Sequence, residues 1–551
     1  MSRRSFASTE PEASPAAAGS RPSSWSPQLP KAVEVYDTTL RDGAQLEGIS
    51  LTVDDKLRIA EQLDWLGVHF IEGGWPGSNE KDNEFFRRAQ KELTLDTAQM
   101  VAFGSTRRKA GKVDSDDTLR HLIEAGTETV CIVGKSSEYH VVSALETDLD
   151  EGVAMVADSV EFLKKAGLRV MLDAEHFFDG YRDNAEFTMR VLEGAVMKGA
   201  THLVLCDTNG GSLPADVEAA VSAVVAHFKN DVIVGVHLHD DAGCGVANAL
   251  AGVRGGARQV QGTINGYGER TGNCNLTTII PNLTLKMGVE TIPRDRLERL
   301  TPVSHHVAEL VNMPLHPQSP YVGQSAFAHK AGLHTSAIAK RPDAYEHVPP
   351  ASVGNGTRFV VSELAGKSTL ILKAKELGLD LDGPALTETI DTLKRLEHEG
   401  YHFEAADGSL ELLMRRAAGW EQEFFRLESF RVIADERGEG GFSTEATVKL
   451  FVGNRRLVET AEGDGPVSAL DQALRQAIGD AYPALRRIHL TDYKVRILDS
   501  NKGTGAVTRV LLDSTNGECS WSTIGVSENI IEASWQALQD SLVYGLLHTT
   551  A

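Results

Sequence analysis

Two histidines set two apart, His237 and His239, stand in the run Gly235-Val236-His237-Leu238-His239-Asp240-Asp241. In an extended strand such residues face the same side, so both imidazoles aim at one point. Two imidazoles joined by a carboxylate make a divalent-metal site. Asp42 can supply the carboxylate. It follows Val33-Glu34-Val35-Tyr36, a run that alternates apolar and polar residues like a half-buried strand, and the chain then breaks at Asp42-Gly43. Arg41 and Asp42 therefore stand at a strand's carboxyl end, where parallel α/β folds keep their chemistry.

The elements that must position these groups recur along the chain. Short β-rich runs are read at Val33–Tyr36, Phe70–Ile71, Met100–Phe103, Thr129–Val133, Arg169–Leu172, His202–Leu205, Val232–Val236 and Gln259–Thr263. Between them lie amphipathic helical stretches such as Asp54–Leu66, Ala154–Ala166 and Ala215–Phe228. Eight alternations over a length close to the ~250 residues typical of a (β/α)8 barrel predict that fold, with a doubly wound open sheet as the alternative. A barrel collects its functional side chains just after the strands, and polar residues fall there. Arg41 and Asp42 follow the first strand, Glu72 ends the second, Glu175 follows the fifth and Asp207-Thr208-Asn209 the sixth. His237 and His239 end the seventh, and Asn265, Glu269 and Asn273 follow the eighth.

Composition narrows the remaining choices. With 551 residues, 41% hydrophobic and 24% charged, the chain is globular and long enough for two or three domains. A net charge of −22 argues against nucleic acid or an anionic membrane as partner. Five scattered cysteines without ligand spacing fit a reduced cytoplasmic protein, and no apolar run approaches the ~20 residues of a membrane span. Residues 1–30, rich in Ser, Pro and Ala, read as a disordered tail, and 31–290 as the barrel. Residues 291–428 read as a linker with a small helical subdomain, including helices at Asp295–Val311, Lys367–Leu377 and Pro384–Glu399. Residues 429–551 repeat strand-strand-strand-helix twice, an α+β module with internal two-fold character suited to regulation or dimerisation. Ala365-Gly366-Lys367-Ser368-Thr369 lacks the first glycine of a phosphate loop, and Gly266-Tyr267-Gly268 lies at the wrong end of the α/β series for a dinucleotide fingerprint.

Leu40-Arg41-Asp42-Gly43-Ala44-Gln45, Glu72-Gly73-Gly74, His237-Leu238-His239-Asp240 and Gly268-Glu269-Arg270-Thr271-Gly272-Asn273 together resemble the 2-isopropylmalate, homocitrate and citramalate synthase family, metal-dependent barrel enzymes that condense acetyl-CoA with a 2-oxo acid. Glu47-Gly48-Ile49-Ser50 and Asp173-Ala174-Glu175-His176-Phe177-Phe178-Asp179-Gly180 are most similar to its citramalate synthase branch. The resemblance implies pyruvate as the oxo acid and a role in isoleucine synthesis, with 2-oxoisovalerate or 2-oxoglutarate as near alternatives. A lyase and a non-catalytic amino-acid sensor are the remote ones.

Carried onto this chain, it implies that Asp42, His237, His239 and Asn273 bind the metal (Mg, Mn, Co or Zn), with Asn265 as a competing amide. Arg41 would stabilise the alkoxide, and Arg41, Gln45, Glu72 and Thr208 would bind substrate. Glu175 would act with His334 and Tyr345 in deprotonating acetyl-CoA, the last two reaching the other subunit of a homodimer. Isoleucine or leucine would bind the C-terminal module as effector.

Overall fold

In the computed structural model, residues 29–329, 341, 345–359, 367–379, 383–437, 441–498, 503 and 505–549 are described. They form two compact units. The first runs to Phe327 and takes back Val348–Gly356; the second holds Ala328–His347 and the chain from Thr357 on. Residues 1–28 of the expected tail at 1–30, and His334, lie outside the described residues.

Eight parallel strands close the first unit into a ring in chain order: β1 Glu34–Asp37, β2 Phe70–Gly74, β3 Gln99–Ser105, β4 Thr129–Lys135, β5 Arg169–Glu175, β6 His202–Asp207, β7 Ile233–Leu238 and β8 Gln259–Gly262. β8 pairs with β1 from Glu34↔Gln259 to Asp37↔Gly262, which removes both edges and excludes the open sheet. Each strand contributes to two packed regions because its side chains alternate. Those facing outward, such as Val35, Ile71, Val130 and Leu172, meet the surrounding helices in one large core. Those facing inward, Tyr36, Phe70, Val101, Phe103, Cys131 and Met171, fill the lumen, so the barrel is a plugged support and not a pore.

Local chemistry sets the first helix, α1 Val53–Leu66. Thr52 Oγ1 accepts from the Asp55 backbone N–H, and the Asp55 carboxylate accepts from the Thr52 N–H, a reciprocal cap. Gly67 ends it at φ 98°, a conformation that suits glycine. Asp295–Val311, expected as one helix, is a 3-10 turn at Arg294–Arg299 followed by an α-helix at Leu300–Leu310. Pro302 accounts for the break. Proline has no N–H to donate and is tolerated only in a first turn, so the α-helix starts just before it.

In the second unit, helices Lys367–Glu376, Gly383–His398 and Asp407–Ala417 form the helical subdomain. The last of these was not anticipated from the sequence. The double repeat is present as two three-stranded antiparallel sheets, ordered Arg426–Arg437, Gly441–Val452, Arg455–Gly463 and His489–Ile497, Thr508–Thr515, Ser520–Ser527, with helices Pro466–Gly479 and Ile530–Thr549 after them. The helices share one apolar core with the inner sheet faces, in which Trp521 is the largest fully buried side chain. Among the described residues no helix is long and apolar enough to cross a membrane.

Candidate active site

At the carboxyl end of the barrel, Asp42 leaves β1, His237 ends β7 and His239 follows it. Their ligand atoms all lie within 4.8 Å of one another. His237 Nε2 is 3.1 Å from Asp42 Oδ2 and 3.3 Å from His239 Nε2. The three residues are 3%, 5% and 7% exposed. Three electron-pair donors pointed at one another in a dry site repel unless a cation or a proton lies between them. Burial alone would raise the Asp42 pKa, but Arg41 and His237 more than reverse this and hold it well below the ordinary carboxylate range. His237 is pushed the other way: burial disfavours its charged form, and Asp42 overrides that and raises its pKa.

Asn273 is the candidate fourth donor. It is 3% exposed, and neither its Oδ1 nor its Nδ2 has a hydrogen-bond partner among the described residues. Its backbone lies against that of His239 through an isolated β-bridge. The competing Asn265 is engaged elsewhere: its Nδ2 donates to the Ser304 carbonyl at 2.9 Å, and its Oδ1 accepts from Ser304 Oγ at 2.6 Å. Gly272 makes the placement of Asn273 possible. Its φ is +97°, and a Cβ there would stand 2.1 Å from the Gly266 carbonyl oxygen. Arg270 ties three strand-end loops together, donating to both Asp241 oxygens at 2.7 and 2.9 Å and to the Thr208 carbonyl at 2.8 Å.

Arg41 lies beside this centre. Its Nε donates to Glu72 Oε1 at 2.5 Å, its Nη1 is 3.6 Å from Asp42, and its guanidinium stacks 3.9 Å from the Phe103 ring centroid. Tyr36 Oη holds the other Glu72 oxygen at 2.6 Å. Burial would lower the Arg41 pKa, and Glu72 and Asp42 raise it instead, so the side chain is a permanent cation. Gln45 is exposed and lines, with Arg41, Trp75 and Lys81, a cavity of about 600 Å³. Thr208 Oγ1 accepts the His176 backbone N–H at 2.9 Å, which leaves the hydroxyl proton free to donate. Glu175 is paired with Lys135. Tyr345 is 44% exposed and belongs to the second unit.

Sequence reasoning missed three supporting residues, Lys135, Asp173 and Gln261. Gln261 and Asp173 had a readable signal: each is a polar residue at an inward-facing position of a strand, in phase with His237 and Glu175.

His239 carries a pH signature. Burial lowers its pKa first and His237 adds to this, bringing it to about 4. A histidine that binds its proton less readily when folded makes stability rise with pH from the folded value to the unfolded one, here from about 4 to about 6.5. Unfolding of the metal-free protein by urea is expected to show about 3 kcal/mol less stability at pH 4 than at pH 7 from this group. The His239→Gln variant should lack that part of the slope, and an unchanged slope would contradict the assignment.

Three family models cover the chain: an HMGL-like domain at residues 32–305, a homocitrate synthase post-HMGL domain-like segment at 321–401, and a LeuA allosteric (dimerisation) domain at 404–546. The chain is 51% identical over 518 residues to the (R)-citramalate synthase of Aquifex aeolicus, covering 94% of this chain and 98% of that one. It is 51% identical over 523 residues to that of Streptomyces coelicolor, with 94% and 98% covered. With the (R)-citramalate synthase of Methanocaldococcus jannaschii it shares 31% over 514 residues, 93% of this chain and 99% of that one. A barrel with this strand-end chemistry and kinship along nearly its whole length belongs to the (R)-citramalate synthase family.

Proposed function

We propose that this chain is an (R)-citramalate synthase, an acyltransferase that joins the methyl carbon of acetyl-CoA to the ketone carbon of pyruvate and releases CoA by hydrolysis of the thioester. The observation that carries the reading is the convergence of Asp42, His237 and His239 beside a fixed arginine, with the buried, unpartnered amide of Asn273 on the residue that bridges to His239. These residues would hold a divalent cation, which would supply Lewis acidity to the ketone of the oxo acid.

The remaining work falls to the chain's own groups. Arg41, locked by Glu72 and Phe103, needs no reorganisation to meet the negative charge that develops on the ketone oxygen during attack. Thr208 donates its free hydroxyl proton to the oxo-acid carboxylate. Glu175, positioned by Lys135, removes a methyl proton from acetyl-CoA, with His334 and Tyr345 completing the proton path from the other subunit of a homodimer. The cavity lined by Arg41, Gln45 and Trp75 leaves room for part of a substrate next to the arginine. The match to a LeuA allosteric (dimerisation) domain is what favours a dimer under feedback control, and isoleucine or leucine is the proposed effector.

Free-thiol release from acetyl-CoA by the metal-supplemented protein tests the substrate assignment, with pyruvate, 2-oxobutyrate, 2-oxoisovalerate and 2-oxoglutarate compared. Pyruvate is expected to give the highest kcat/KM by at least tenfold, the scale on which a pocket separates one or two methyl groups. Highest turnover with 2-oxoisovalerate would move the enzyme to isopropylmalate formation. Repeating the pyruvate assay with isoleucine and leucine tests the effector, and indifference to both would remove feedback by these amino acids.

A further inference from the structure

We propose that Gln261, oriented by Asp173, is a positioning residue that holds His237 in the tautomer whose Nε2 carries the lone pair. The inference rests on the metal-centre reading above and adds to it residues outside the four donors.

Gln261 stands on β8 and Asp173 on β5, both facing the barrel interior; Gln261 is fully buried and Asp173 nearly so. Gln261 Nε2 donates to Asp173 Oδ1 at 3.0 Å, and Gln261 Oε1 lies 2.8 Å from His237 Nδ1. Cys131 Sγ donates to the same Asp173 oxygen at 3.1 Å, so that oxygen acts as an acceptor toward two neighbours. An amide has one donating and one accepting end. With its NH2 committed to the carboxylate, Gln261 can offer His237 only a carbonyl oxygen, which requires a proton on Nδ1. The neutral imidazole then has its lone pair on Nε2, facing Asp42 and His239.

This arrangement opposes a real competitor. Asp42, 3.1 Å from Nε2, favours the other tautomer, in which Nε2–H donates to its carboxylate and closes the centre to a cation. Gln261 makes that state unfavourable, because an unprotonated Nδ1 would face the amide oxygen lone pair to lone pair in a site without water. Asp173 supplies the direction. Without an acceptor-only group behind it, the amide could rotate and serve either tautomer.

The test uses the full-length protein and Mn2+, with free Mn2+ followed by electron paramagnetic resonance. Gln261→Met keeps the volume and removes both hydrogen bonds, and its Mn2+ affinity is expected to fall at least tenfold, within the ~10–100-fold range of outer-shell losses. Gln261→Glu combined with Asp173→Asn exchanges amide and carboxylate. The amide at 173 then donates to the carboxylate at 261, which still accepts from His237 Nδ1–H, so affinity should return to within about threefold of the wild type. Gln261→Met binding Mn2+ within twofold of the wild type would overturn the proposal. So would an exchanged pair that melts like the wild type yet binds as weakly as Gln261→Met. Should either variant misfold, 15N spectra of the histidine-labelled wild type with Mg2+ decide directly, with His237 assigned by its loss in His237→Gln: Nδ1–H supports the proposal and Nε2–H overturns it. A wild type that binds no Mn2+ would instead remove the metal centre itself.

Discussion

Replacing Asp42 by asparagine is expected to lower kcat/KM for pyruvate by about a thousandfold, corresponding to ~4 kcal/mol of transition-state stabilisation. Asparagine keeps the shape and one oxygen but removes the formal negative charge of Asp42, the one carboxylate among the four proposed donors Asp42, His237, His239 and Asn273. The fold should survive, because Arg41 retains its shorter contact with Glu72. Mn2+ titration should show the loss at the level of cation binding, and saturating metal should recover only part of the activity. Activity within tenfold of the wild type at ordinary metal concentrations would place the catalytic cation elsewhere.

Arg41→Met is expected to act on rate and stability together. On rate, loss of the cation beside the developing alkoxide should cost about 100- to 1,000-fold, mainly in kcat. On stability, Glu72 is fully buried, and among the described side chains that hold it Tyr36 remains once Arg41 is gone. An uncompensated buried carboxylate typically costs about 3–5 kcal/mol. Calorimetry and thiol release on Arg41→Met and on Arg41→Met with Glu72→Gln separate the two effects. Neutralising Glu72 should recover most of the stability and none of the rate. Arg41→Lys should recover less than either idea of simple charge would suggest, since lysine cannot reproduce the directed Nε–H donation to Glu72. A rate restored by lysine would mean that charge alone suffices.

The contrast between Asp42 and Gln261 shows how much of the site was legible in the sequence. All eight strands could be read because parallel strands buried on both faces leave dense apolar runs, and the helices between them carry a 3.6-residue rhythm. Asp42, His237 and His239 could be read because a charge or imidazole at the end of such a run is unexpected for a core. Gln261 carries no charge, and a glutamine in a four-residue strand is as easily a surface amide; its role depends on Asp173, 88 residues away. The choice between Asn273 and Asn265 was likewise not local. Ser304, on the helix Leu300–Leu310, engages both ends of the Asn265 amide and so favours Asn273. The 3-10 turn at Arg294–Arg299 and the helix Asp407–Ala417 were missed for a different reason: short or end-of-domain elements carry too few turns for their periodicity to stand out.

The closure of β8 onto β1 bears on how the protein folds. Asp42 leaves the first strand, while His237 stands on β7, His239 just after it and Asn273 after β8, so the proposed donors meet only when the ring shuts. A chain still being synthesised holds Asp42 early and lacks its partners until nearly the whole barrel has emerged. A cation at that seam would act as a clasp across the last-formed contact. It would do little to speed folding, because that contact comes late, and much to slow the ring's reopening.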